Sequence, residues 1–245
     1  MRILAKVSYK GTNYQGWQKQ INAPTIEEEI EKVLSKILNT PINIYGSGRT
    51  DAGVHAVNQT FHFDISKDID LGKLRYSTNC LLPKDIYIKN MEIVDESFHA
   101  RYSAKKKIYQ YIIHFNARDV FNNDLKATIL EKCNIDILKK SLLLFIGEHN
   151  FSNFTSKEED ENYFVRTIYQ IDTKYDESKD DLIITLEGNG FMRYMIRYIV
   201  GTCIAVSQNK EDISFIKDRL DSEQSRNIVS YKAPSEGLYL LDVIY

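Results

Sequence analysis

The pattern of apolar and polar positions divides the chain into strands and amphipathic helices. Residues 3–9 and 108–115 are rich in β-branched and aromatic side chains, as strands are. A helical pattern follows each. In the first, Thr25 and Glu28 have the spacing of a capping box just after Pro24. Ile26, Ile30, Val33, Leu34, Ile37 and Leu38 then recur at helical spacing and form one apolar stripe. In the second, Asn134 is the candidate N-cap, and Ile135, Leu138, Leu142, Phe145 and Ile146 repeat the stripe up to Gly147, a C′ glycine. Further strands are predicted over 42–45, 57–64, 86–94, 165–175, 182–187 and 237–244, and further helices over 72–80, 191–207 and 211–221.

The order strand–helix–strand–strand–helix–strand thus occurs once before residue 100 and once after it, with no repeat at the level of residues. This predicts an α/β (α+β) fold of two similar α/β sandwich subdomains, with mixed, largely antiparallel sheets and a cleft between them. The boundary falls between residues 1–104 and 105–245, and four prolines in the chain leave little material for a flexible linker.

Composition narrows the class. At 43% hydrophobic and 27% charged residues the chain reads as globular, not disordered. Its longest apolar run, from Tyr198 to Val206, is about half of what a membrane span needs, and charges at Arg2 and Lys6 spoil a secretory leader. A cytoplasmic protein is expected. Cys80, Cys133 and Cys203 are three, widely spaced and without a CxxC pair, which indicates neither a disulfide framework nor a zinc cage.

The net charge of −2 speaks against a nucleic-acid partner, yet the charges are segregated. Phe98 to Arg118 holds Arg101, Lys105, Lys106, Lys107 and Arg118 and no acid; Gly188 to Lys210 holds Arg193, Arg197 and Lys210, again with no acid. Acids collect in Glu158-Glu159-Asp160-Glu161 and at Asp176, Glu177, Asp180 and Asp181. Such a distribution serves equally as ordinary solvated faces or as one basic groove.

The most unusual segment is Gly46-Ser47-Gly48-Arg49-Thr50-Asp51-Ala52-Gly53-Val54-His55-Ala56, between two predicted strands. Its glycines permit positive φ and close approach to a ligand. It is no Walker A loop, since Val54 stands where lysine is required, and no dinucleotide fingerprint, since Asp51 takes the third glycine position and a strand follows. Three readings of Asp51 remain: a turn aspartate bonding its own backbone, a metal ligand with His55, or a carboxylate nucleophile or base kept ionised by an arginine.

Gly48-Arg49-Thr50-Asp51-Ala52-Gly53-Val54-His55-Ala56 resembles the signature of the tRNA pseudouridine synthase A family, which isomerises uridines in the anticodon arm of tRNA. Four further segments resemble that family in order: Tyr9-x-Gly11-x-x-Tyr14-x-Gly16-Trp17-Gln18-x-Gln20, then Phe98-His99-Ala100-Arg101-Tyr102-Ser103-Ala104 leading to Tyr109-Gln110-Tyr111. The others are Phe191-Met192-Arg193-Tyr194-Met195-Ile196-Arg197 with Ile199-Val200-Gly201, and Glu236-Gly237-Leu238-Tyr239-Leu240.

The resemblance implies a reaction that breaks the N1–C1′ bond of uridine, turns the base and rejoins it through C5, with no cofactor and no metal. It implies Asp51 as nucleophile, Arg197 as the cation that keeps it ionised, and Tyr109 as the active-site tyrosine, able to stack on uracil and to help move the C5 proton. Arg49 resembles the arginine that assists extrusion of the target base. Helical projection of 191–207 sets Arg193 beside Arg197, opposite Phe191, Met195 and Ile199. Lys105, Lys106, Lys107 and Arg193 are candidate phosphate contacts. His55 and His99, within motifs, read as structural. On a strand, Tyr109 and Tyr111 share one face. The expected partner is tRNA at its anticodon stem-loop (positions 38, 39 and 40), held by a homodimer, with no membrane and no small-molecule cofactor. The alternative from another class is a non-catalytic RNA-binding or chaperone module on the same fold.

Overall fold

The structure, a computed structural model, describes residues 1–66, 68–158, 161–220 and 226–245, and of Glu161 and Asn162 only the backbone. The chain forms two compact units: Met1–Lys105 with Tyr239–Tyr245, and Lys106–Leu238. The boundary read from the sequence places residues 239–245 with the second subdomain; in the structure they pack with the first.

The first unit contains β1 (Arg2–Tyr9), α1 (Ile26–Leu38), β2 (Tyr45–Gly46), β3 (His55–Asp64), α2 (Leu71–Leu81) and β4 (Ile86–Val94). β1 runs antiparallel to both β3 and β4, with Ala5 opposite Phe61 and Met91. The last strand of the chain, completed below, lies parallel to β3 through Tyr239↔His55 and Leu240↔Ala56. Ile3, Ala5, Val7, Phe61 and Phe63 are buried, as are Ile26, Ile30 and Leu34 of the α1 stripe. That is the burial the helical spacing foretells.

Two local expectations fail, each for a physical reason. Thr25 stands at the N-cap of α1, but its side chain makes no capping hydrogen bond. The first two amides of the helix, which lack intrahelical acceptors, are taken by tertiary partners: Ile26 N donates to Gly16 O and Glu27 N to Trp17 O. The strand expected over 42–45 shrinks to β2, because Ile42 N donates to Ser35 Oγ and Ile44 N to Glu31 Oε1. Side chains of α1 satisfy amides that a ladder would otherwise use.

The second unit contains β5 (Lys106–Phe115), β6 (Ala127–Ile129), α3 (Ile135–Leu143), β7 (Gly147–Asn150), β8 (Val165–Asp176), β9 (Asp181–Gly188), α4 (Met195–Ser207) and α5 (Ser214–Leu220). β10 (Leu238–Ile244) leaves this unit to enter the first. β9 is antiparallel to β5 and to β8, and β7 to β8; the short β6 joins β5 in parallel. Asn134 caps α3 as read, its Oδ1 accepting from Asp136 N and Ile137 N at 3.1 Å each. The helix ends at Leu143, and Gly147 (φ 114°) opens β7 in place of serving as C′ residue.

The mostly antiparallel, mixed α/β class holds in each unit. α4 departs from expectation at its start. It begins at Met195, not at 191, since Tyr194 takes a left-handed conformation (φ 62°). From Ile199 to Ser207 every residue of it is buried, so it is a core helix and not a two-faced one. Among the described residues, no helix is long and apolar enough to cross a membrane. Residue 221 of the helix read over 211–221, and Glu159 and Asp160 of the acidic run, lie outside the described residues.

Candidate active-site elements

The Asp51 loop rests on the N-terminal segment Tyr9–Trp17. Trp17 N donates to Thr50 O (3.1 Å), Gly53 N to Tyr14 O (3.3 Å) and Gly11 N to His55 Nδ1 (3.1 Å). Tyr9 Oη and Thr50 Oγ1 are 2.8 Å apart, and burial raises the Tyr9 phenol so that it stays protonated. Gly16 (φ 94°) allows the close approach: a Cβ there would stand 2.6 Å from Thr50 O and 3.1 Å from Asp51 C. Val54 N donates to Asp51 O, closing a turn of which Gly53 (φ 78°) is the left-handed member. Asp51 is half-buried on this bed and Arg49 is exposed. The positive charge of Arg49 is felt by Glu27, whose carboxyl is nonetheless raised, chiefly by burial. A carboxylate set on a loop bonded at Thr50, Gly53 and His55 is pre-positioned, as nucleophilic chemistry would need.

His55 fits the structural role read for it, with Nδ1 bonded to Gly11 N and its ring stacked on Tyr239 at 4.6 Å. His99 Nδ1 accepts from Arg101 N at 3.1 Å and shapes its own loop.

In the second unit, Tyr109 and Tyr111 lie on one face of β5 and both are buried, at 8% and 0% exposure. Tyr111 Oη donates to Pro234 O at 2.8 Å, while the Tyr109 ring meets Phe191 edge-on at 5.2 Å.

Arg197 is half-buried in the first turn of α4, and its Nε donates to Ala233 O at 2.7 Å. Arg193 is exposed and precedes the helix. The two arginines are brought together, as read, but by the ring of Tyr194 instead of by a shared helical face: their Cζ atoms lie 4.8 and 5.4 Å from its centroid. Lys232 Nζ joins them at 4.5 Å. Tyr194 and Lys232 escaped the sequence reading, since nothing in the spacing links residue 232 to this turn.

The three lysines do not share one face. Lys105 is exposed and its amide donates to Ile244 O; Lys106 is exposed and pairs with Glu187 at 2.6 Å; Lys107 is half-buried. Lys106 and Lys107 point to opposite faces of β5. Among the described residues, no group of three or more His, Cys, Asp or Glu side chains is placed to hold a metal ion.

The chain matches the sequence model of the tRNA pseudouridine synthase family over residues 5–103 and 142–245, and it belongs to that family. It is thus an isomerase of the pseudouridine synthase class. It is 38% identical over 241 residues to the tRNA pseudouridine synthase A of Staphylococcus aureus (strain MRSA252), covering 98% of this chain and 90% of that one. The enzyme of the same description from strain JH1 gives 38% identity with 98% and 89% covered. Among solved structures, a Cbf5-Nop10-Gar1 complex aligns over 98% of this chain and 58% of that chain, with a TM-score of 0.44 and 12% identity.

Proposed function

We propose that this pseudouridine synthase acts on uridines of the tRNA anticodon stem-loop, at positions 38, 39 and 40, with Asp51 as nucleophile. The observation that carries the reading is the Asp51 loop itself, a family signature whose backbone is held from Tyr14 and Trp17 and whose His55 ring accepts from Gly11 N. The Asp51 carboxylate forms a covalent link to the nucleoside, and the N1–C1′ bond breaks. The base turns, C5 bonds to C1′, C5 gives up its proton, N1 ends protonated, and the carboxylate is released. Nothing is oxidised and no group is imported, so the chemistry calls for no cofactor.

Arg197 keeps the carboxylate ionised. Tyr109 stacks on the uracil and assists the C5 proton transfer. Arg49, exposed beside the nucleophile in sequence, holds the stack open once the uridine has left it. Lys105, Lys106, Lys107 and Arg193 contact phosphates without reading sequence, Lys106 after exchanging Glu187 for RNA. The enzyme works in the cytoplasm as a homodimer, as its family resemblance implies. The reading is tested by incubating the purified protein with unmodified tRNA transcripts carrying tritium at uridine C5. Tritium release mapped to positions 38–40 supports it. Release elsewhere reassigns the substrate, and RNA binding without release leaves the non-catalytic module.

A further inference from the structure

Tyr194 is a bulky residue in the left-handed region (φ 62°), where such side chains are outliers and where strain collects at functional sites. Its ring carries three cations: Lys232 Nζ at 4.5 Å, Arg193 Cζ at 4.8 Å and Arg197 Cζ at 5.4 Å from the centroid. A ring has two faces, so at least two of the three positive groups share one. By the triangle inequality no two are more than about 10 Å apart, roughly one Debye length at moderate salt, so salt screens their repulsion only in part.

The crowding is built and not incidental. Arg193 Nη2 donates to Tyr194 Oη at 3.0 Å, and Arg193 O accepts from Thr155 Oγ1 at 3.0 Å. Lys232 is carried there by its neighbour, since Ala233 N donates to Arg197 O at 2.9 Å while Ala233 O accepts from Arg197 Nε. Gly201 lets that strand of backbone seat on the helix, because a Cβ would stand 2.6 Å from Tyr231 O. Among the described residues neither Arg193 nor Lys232 takes part in an ion pair, and both are exposed. The π face offsets part of the repulsion. An anion reached by the exposed ammonium and guanidinium would offset more.

We propose that Tyr194, Arg193 and Lys232 form a phosphodiester-binding post for the RNA backbone, with Tyr194 spacing the cations and Lys232 a contact that the sequence motif does not include. The proposal rests on the reading of this chain as an enzyme acting on RNA. The post makes phosphate contacts and reads no base, so it adds affinity and salt dependence alike for every bound RNA.

The test measures affinity for an unmodified anticodon stem-loop hairpin, and for a second hairpin of unrelated sequence, over a range of salt concentrations. Each phosphate contact contributes about 0.9 to the slope of log affinity against log salt for duplex nucleic acid and somewhat less for single strands. Lys232→Ala and Arg193→Ala are each expected to lower the slope by up to about one contact, and the double variant by more, with equal weakening for both hairpins. Tyr194→Asn, which tolerates the left-handed backbone but lacks the ring, is expected to weaken binding, and Tyr194→Phe to restore it. An unchanged slope in the double variant, with wild-type thermal stability, overturns the proposal. So does a loss confined to one hairpin. Tritium release by the wild type is measured in parallel: its absence overturns the enzymatic reading, while the slopes report on the post independently.

Discussion

Arg197 and Ala233 hold each other twice: Arg197 Nε donates to Ala233 O at 2.7 Å, and Ala233 N donates to Arg197 O at 2.9 Å. The pair ties a cation of the proposed site to a segment 36 residues later in the chain. It depends on Gly201, one turn further along α4, where a Cβ would meet Tyr231 O at 2.6 Å and Ala233 N at 2.7 Å. Backbone atoms cannot swing aside as a flexible side chain does. Gly201→Ala is therefore expected to lower stability by about 1–3 kcal/mol and to reduce turnover beyond that loss, through displacement of Arg197. Thermal melting and tritium release on the same preparation check this; a variant with unaltered melting and unaltered turnover would remove the clasp from the argument.

The two tyrosines of β5 should separate. Tyr111 Oη is buried on Pro234 O, so Tyr111→Phe removes a hydrogen bond and is expected to cost about 0.5–1.5 kcal/mol of stability while retaining turnover. Tyr109→Phe keeps the ring on Phe191 and loses the hydroxyl, so its turnover is expected to fall by about 100-fold or more with RNA affinity kept. Equal behaviour of the two variants would show that Tyr109 was wrongly chosen.

His62 gives stability a pH dependence. Burial first, then the charges of His99 and Arg2, lower its imidazole to about 4 against the opposing pull of Asp64. Tyr45 stacks on the ring, and Nδ1 accepts from Ala100 N. The unfolded chain takes up this proton below about pH 6.5, and the folded chain refuses it until much lower. Stability is therefore lost as pH falls through that window. Melting temperature should drop from about pH 6.5 to about 4.5, and His62→Asn, whose Oδ1 can accept from Ala100 N, should flatten the drop. An identical pH profile in the variant would contradict the assignment.

Much of this was legible in the sequence, and what escaped has a common cause. The Asp51 loop is contiguous, so its residue types and order are visible along the chain. The α1 stripe and the Asn134 cap are local and hold as read. The Thr25–Glu28 capping box did not form; carbonyls of Gly16 and Trp17 accept from the first two amides of α1, a tertiary contact that local spacing does not register. The early start predicted for α4 failed at Tyr194, where a left-handed residue has no signal of its own in a tyrosine. Lys232 was invisible for the same reason: only folding brings it to the Tyr194 ring. Tyr239–Tyr245 resembles any closing strand, and nothing in it announces a return to the first unit.

Chelation is a further check. Turnover is expected to survive exhaustive EDTA treatment without added nucleotide, because the reaction as proposed moves bonds within one nucleoside. Loss of turnover restored by one specific metal would contradict that.

The role of Asp51 as nucleophile is decided by the variant Asp51→Asn. The exchange is nearly isosteric and removes the nucleophilic carboxylate with little change to phosphate contacts. Tritium release from C5-labelled tRNA is expected to fall to background while affinity for the same RNA stays within a few fold of wild type. Turnover comparable to wild type in Asp51→Asn would take Asp51 out of the mechanism.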